Sequence, residues 1–316
     1  MSCALSPKAV ITTVVAAVLL AAALGGCRNR NDLADRQDGR LKVVTTTGMI
    51  ADMVANIGGD RVNVRSLMGP GIDPHLYRAS HGDIALLSQA DIIFYNGLHL
   101  EGQMAEVFEQ IQNKIPTVAV AEAVDTTLLL SSLNFAGVHD PHIWFDVRLW
   151  AKAAELVRDR LSRFDPGGSS YYIANGKKYI DDLFALDAYI RQAAQTLPDS
   201  ARVLITAHDA FQYFGRAYGF QVMGLQGIST AAEAGTADVM HLADFIAGRK
   251  IKAVFVESSV PRRNIEAVQA AVRARGFEVK IGGTLYSDAL GDPDNPEGTY
   301  IGMFKYNIDT IVNALR

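Results

Sequence analysis

From Leu41 onward, short apolar runs take turns with longer amphipathic stretches, and this alternation is the main structural signal in the chain. LKVVTTT (41–47), VNVRSLM (62–68), ADIIFYNG (90–97) and TVAVAE (117–122) read as strands of the first half, being short and rich in β-branched residues. Gly48 to Ile57 and His81 to Gln89 supply crossover helices. After Pro198 the alternation restarts with RVLITAH, FQVMGLQ, IKAVFVES and EVKIGGTLY. The expected fold class is therefore α/β, with two lobes built on mainly parallel sheets.

Between the lobes, Tyr179, Leu183, Leu186, Ile190, Ala193 and Leu197 recur at spacings of four and three, with charged and polar residues on the other face. The pattern predicts one long helix that starts after Asp165-Pro166-Gly167-Gly168 and stops at Pro198. Its length is about 29 residues, or roughly 43 Å, enough to run along both lobes as a stiff connection. The division that follows is an N-terminal lobe over 41–165, a linking helix over 166–198 and a C-terminal lobe over 199–316.

The first 40 residues follow a different pattern. Lys8 precedes an apolar run from Ala9 to Leu24 that ends in Leu24-Gly25-Gly26-Cys27. A spanning helix needs ~20 apolar residues, so the run has the length of a signal-peptide core, and its end resembles the bacterial lipobox. Residues 1–26 then form a lipoprotein signal peptide, Cys27 carries the lipid, and the polar stretch 27–40 is a flexible tether. An uncleaved N-terminal anchor is the other reading. Both put the remainder outside the cytoplasm, lipid-anchored or membrane-held, in the periplasm or at the cell surface.

Composition narrows the function classes. With 49% hydrophobic residues and a formal net charge of -4, the chain can bury a full core and has no general attraction for nucleic acid. The only cysteines are Cys3 and Cys27, which leaves the folded part without disulfide or thiol chemistry. No GxxxxGK[ST] phosphate loop, GxSxG elbow or HExxH pair is present.

The candidate chemistry lies in the histidines. Of seven, His75, His142 and His208 stand where strands should end, in GPGIDPHLYRAS, HDPHIWFD and RVLITAH. Asp288, in LYSDALGD, takes the matching place after the last strand. Ligands of open α/β sheets bind beyond the carboxyl ends of the strands, so these four can meet between the lobes. Asp-Pro-His occurs twice, at 73–75 and 140–142, and its proline stiffens the approach to each imidazole. Glu257, at the end of IKAVFVES, reads either as a helix cap or core carboxylate, or as a partner that orients a ligand imidazole.

These segments, together with DIIFYNGLHLEG, TAHDAFQYFGRAYGF, GLQGISTAAEAG and FVESSVPRRN, resemble the TroA-like metal-receptor lipoproteins of bacterial ABC transporters, the zinc/manganese solute-binding family. The likeness covers nearly the whole mature chain. It implies paired α/β lobes on a rigid backbone helix, with metal held in the cleft by His75, His142, His208 and Asp288. It leaves out His139 and makes His99 structural, while His81 and His241 read as solvated. Three imidazoles and one carboxylate suit Zn2+ first, with Mn2+ or Fe2+ as alternatives. The family also implies an ABC permease and its ATPase as partners of a receptor that is not an enzyme, and a monomer is the default. A zinc-dependent hydrolase and an adhesin or surface-interaction lipoprotein are the competing classes.

Overall fold

The computed structural model describes residues 39–131 and 137–316; the signal segment, Cys27 and most of the tether lie outside the described residues. In the first lobe, β1 (Leu41–Thr45), β2 (Val62–Ser66), β3 (Ile92–Tyr95) and β4 (Thr117–Ala119) form one parallel sheet in the order β2-β1-β3-β4. Helices α1 (Gly48–Gly58), α2 (His81–Ser88) and α3 (Ala105–Ile111) make the crossovers. Ser80 and Asp83 close the start of α2 as a reciprocal capping box.

Two long helices follow, α4 (Val147–Phe164) and α5 (Ser169–Gln195). The expected linking helix is α5, with 27 residues. It falls short of Pro198, which disfavours helical geometry at Leu197; Thr196 is still helical, but Thr196 and Leu197 bond back three residues, to the Ala193 and Ala194 carbonyls, as the helix tightens and ends. Tyr179, Leu183, Leu186 and Ile190 are buried on one face, as the spacing predicts. Helix α4 was not anticipated, although Val147, Trp150, Ala154, Val157 and Leu161 bury themselves at spacings of three and four.

The second lobe contains β5 (Val203–His208), α6 (Gln212–Tyr218), β6 (Gln221–Gln226), α7 (Thr236–Arg249), β7 (Ala253–Glu257), α8 (Arg263–Arg273), β8 (Lys280–Leu285) and α9 (Tyr300–Leu315). Its strands pair in parallel as β5-β6 and β7-β8, with β5 and β7 side by side between them. The fold is thus the expected two-lobed α/β arrangement with a central helix.

One apolar core runs through both lobes, joining β1 and α1 to α4, α5, α6 and α9. Helix α5 packs against α1 and α4 on one side and α9 on the other, which makes the link stiff. Among the described residues no helix is long and apolar enough to cross a membrane.

At the junction of α1, α5 and α9, Asp52 accepts the Tyr300 N–H at 3.3 Å and the Tyr179 hydroxyl at 3.4 Å. Burial outweighs these bonds and pushes its carboxyl from 3.8 up to about 6. A raised folded-state value means that this group's contribution is fully present below pH 3.8 and is lost as pH rises through about 6. Asp52→Asn should therefore gain roughly 1–2 kcal/mol at pH 7.5, discounted for partial solvent screening, and the gain should shrink toward pH 4. Urea midpoints at the two pH values test this, and a gain independent of pH would contradict it.

Candidate metal centre

His208 is the last residue of β5, Asp288 follows β8 by three residues, and His142 sits before the single turn Ile143–Phe145 that leads into α4. His75 lies in the loop between β2 and α2. The four meet between the lobes, each buried: His75 is 5% exposed, Asp288 1%, and His142 and His208 not at all. Their potential ligand atoms all lie within 4.8 Å of one another.

The imidazoles are aimed from behind. His142 Nδ1 lies 2.7 Å from Asp140 Oδ1, and the same oxygen accepts the His142 N–H at 2.9 Å. His208 Nδ1 lies 2.5 Å from Glu257 Oε2, while Glu257 Oε1 accepts the His208 N–H at 2.8 Å. At His142 the carboxylate on Nδ1 places the proton there and leaves Nε2 free as a donor atom toward the centre, and Glu257 stands against His208 Nδ1 at similar range without a well-formed hydrogen bond. His142 is also tied to the opposite lobe. The Trp144 indole N–H donates to the Ser287 carbonyl at 3.0 Å, the Tyr300 hydroxyl to the Trp144 carbonyl at 2.6 Å, and the Tyr213 hydroxyl to the Asp140 carbonyl at 2.9 Å. Ser287 is adjacent to Asp288 and Trp144 is two residues beyond His142, so these bonds fix His142 against Asp288.

The spacing inside the cluster is informative. His75 Nε2 and His142 Nε2 are 3.3 Å apart, His208 Nε2 and Asp288 Oδ2 3.1 Å, His142 Nε2 and Asp288 Oδ1 3.5 Å, and His75 Nε2 and Asp288 Oδ2 3.9 Å. Four donors bound tetrahedrally at ~2.0–2.1 Å lie roughly 3.3 Å from each other. These four separations bracket that value, and all the potential ligand atoms lie within 4.8 Å of one another.

Electrostatics point the same way. Burial would raise the Asp288 carboxyl, but His208 first, then His142 and His75, hold it well below the usual carboxylate range. Burial disfavours charge on His208 too, yet Asp288 and Glu257 outweigh it and lift that imidazole well above its ordinary value. His75 is pushed down to about 3, chiefly by burial, against which the more distant Asp288 charge is not enough. Both Asp288 oxygens and His208 Nε2 are buried and lack a well-formed hydrogen bond. A buried carboxylate facing three imidazoles in this way fits a single divalent cation.

The remaining histidines stay outside. His139 pairs by its backbone with Ser131, and His81 and His241 are exposed. His99 is exposed as well, with φ 64° next to Leu98 at φ 53°, so its part in the structure is a left-handed turn and not a packed side chain. Asp140 was missed as an orienting group. Its signal was present in the repeated Asp-Pro-His, where only the steric effect of proline had been weighed.

The chain matches over residues 43–314 the family described as zinc-uptake complex component A, periplasmic. The chain belongs to this family. Its members are solute-binding receptors of ABC importers, not enzymes. Among relatives, the zinc-binding protein TroA of Treponema pallidum is 52% identical over 280 residues, 88% of this chain and 90% of that protein. Its solved structure superposes with a TM-score of 0.86, covering 87% of this chain and 99% of the other. The manganese-binding lipoprotein MntA of Bacillus subtilis is 46% identical, covering 96% of this chain and 99% of MntA. The manganese ABC transporter substrate-binding lipoprotein PsaA of Streptococcus mitis is 32% identical, with 94% of each covered. These likenesses agree with the family resemblance, the two-lobed fold and the receptor role expected from the sequence.

Proposed function

We propose that the protein captures one divalent transition metal through the Nε2 atoms of His75, His142 and His208 and the Asp288 carboxylate, and delivers it to an ABC importer. Zinc is the first choice of cargo, with manganese or iron as alternatives, because the donors are nitrogen-rich and borderline in softness. The observation that carries the reading is the buried Asp288 carboxylate, without a well-formed hydrogen bond, among three imidazoles at ligand spacing. A hydrolase would need an open coordination position and a free base. Here four donors surround the centre, and the nearby carboxylate, Glu257, is committed to His208.

Residues 1–26 are read as a lipoprotein signal peptide and Cys27 as the lipidated residue, which would hold a monomeric receptor on the outer side of a membrane beside its permease. The limits 41–165, 166–198 and 199–316 are the matching division into lobe, linking helix and lobe.

The test is elemental analysis of the protein purified without chelator, followed by competition between zinc and manganese. About one equivalent of either metal supports the reading, and no stoichiometric metal after reloading removes it. Glu257 is assigned the orienting role: Glu257→Ala should weaken zinc binding about 10–100-fold although no ligand is touched. A change under about twofold in a chelator competition assay would leave Glu257 as a core carboxylate.

A further inference from the structure

The two Asp-Pro-His units are built alike and used differently. In each, the aspartate accepts the N–H of its own histidine at 2.9 Å. Asp140 then turns back to the Nδ1 of His142. Asp73 does not serve its own imidazole: its second oxygen, Oδ2, accepts the Thr230 hydroxyl at 2.6 Å from the other lobe.

Thr230 sits in the segment GLQGISTAAEAG, between β6 and α7, and is 8% exposed. Asp73 and Thr230 both line a cleft of about 430 Å³, to which Leu76, next to His75 in the chain, and Gln226, Glu233, Arg263 and Asn264 also contribute. His208 ends a strand, and the loops that carry His142 and Asp288 are tied together by the Trp144–Ser287 and Tyr213–Asp140 bonds, whereas the His75 loop is joined to the second lobe through Asp73 and Thr230. All four cluster residues are buried, so metal exchange requires some part of this enclosure to open.

We propose that the Asp73–Thr230 bond is a latch that holds the His75 loop against the second lobe and sets the rate of metal release, Thr230 acting as a positioning residue. The proposal rests on the receptor reading above. Opening breaks one charge-assisted hydrogen bond whose acceptor also positions the His75 backbone, so the bond slows departure of the metal. Association starts from the open form, in which the bond is already absent, and should not depend on it.

The full chain in detergent, loaded with zinc, is mixed with excess chelator and release is followed by stopped flow. Thr230→Val, which keeps the side-chain shape, should release zinc about tenfold faster, equivalent to ~1.4 kcal/mol, with association unchanged within about twofold. Thr230→Ala should match it, and Thr230→Ser should release at the wild-type rate. Release from Thr230→Val at the wild-type rate, or Thr230→Ser as fast as Thr230→Val, overturns the latch while leaving the receptor reading intact. Failure of the wild-type chain to hold zinc overturns both.

Discussion

Replacing Asp288 with alanine should lower zinc affinity by at least about a hundredfold and leave the fold in place. A four-ligand zinc site is worth ~10–16 kcal/mol, so each ligand carries roughly 3 kcal/mol, and 1.4 kcal/mol is a factor of ten. Asp288 supplies the only negative charge of the four donors, and it neutralises part of the cation at a centre from which water is excluded. The metal-free variant should still fold on the core that joins the two lobes, with some loss of stability, because the three imidazoles that hold the Asp288 charge lose their partner. Chelator competition together with melting of the metal-free variant separates the two effects. Affinity within tenfold of wild type would take Asp288 out of the ligand set, whereas equal losses in Asp288→Ala and Asp288→Asn would identify charge, not volume, as the cause.

Trp150→Ala should cost about 3–5 kcal/mol of folding stability, the range for removing a large aromatic from a core. The Trp150 side chain is fully buried on α4 and stacks on Tyr300 of α9, with ring centroids 5.4 Å apart. Tyr300 in turn bonds the carbonyl of Trp144, two residues beyond His142. The cavity would therefore open where the two lobes share their core, and collapse around it would disturb the frame of the metal centre. Because that core is continuous, the wild-type chain should unfold in one transition. Denaturant midpoints test this. A loss below about 1 kcal/mol, or two separate wild-type transitions, would show that the lobes are energetically independent.

The eight strands were legible because each is a short apolar run bounded by polar turns, and all eight appear within the segments expected. The long helix was legible because its apolar positions repeat from Tyr179 to Leu197, about five turns. Helix α4 was not, since it starts at Val147, directly after the segment HDPHIWFD that carries His142, and a ligand-bearing loop masks the start of a helical period. Pairing within the second lobe was not legible either: parallel strands leave no turn between them to set register.

For the site, residue order determined which side chains could serve. The doubled Asp-Pro-His and the strand end of RVLITAH drew attention to His75, His142 and His208, and the loop after the last strand to Asp288, although in the structure only His208 ends a strand and the other three lie in loops. Only the tertiary structure decided what those side chains do to one another. Asp140 turns back on His142, Glu257 reaches His208 from a neighbouring strand, and Asp73 crosses to Thr230, 157 residues away. Hydrogen bonds, burial and charge coupling act through space over a few ångströms, and the distances that set them come from packing of the two lobes, which local sequence does not encode.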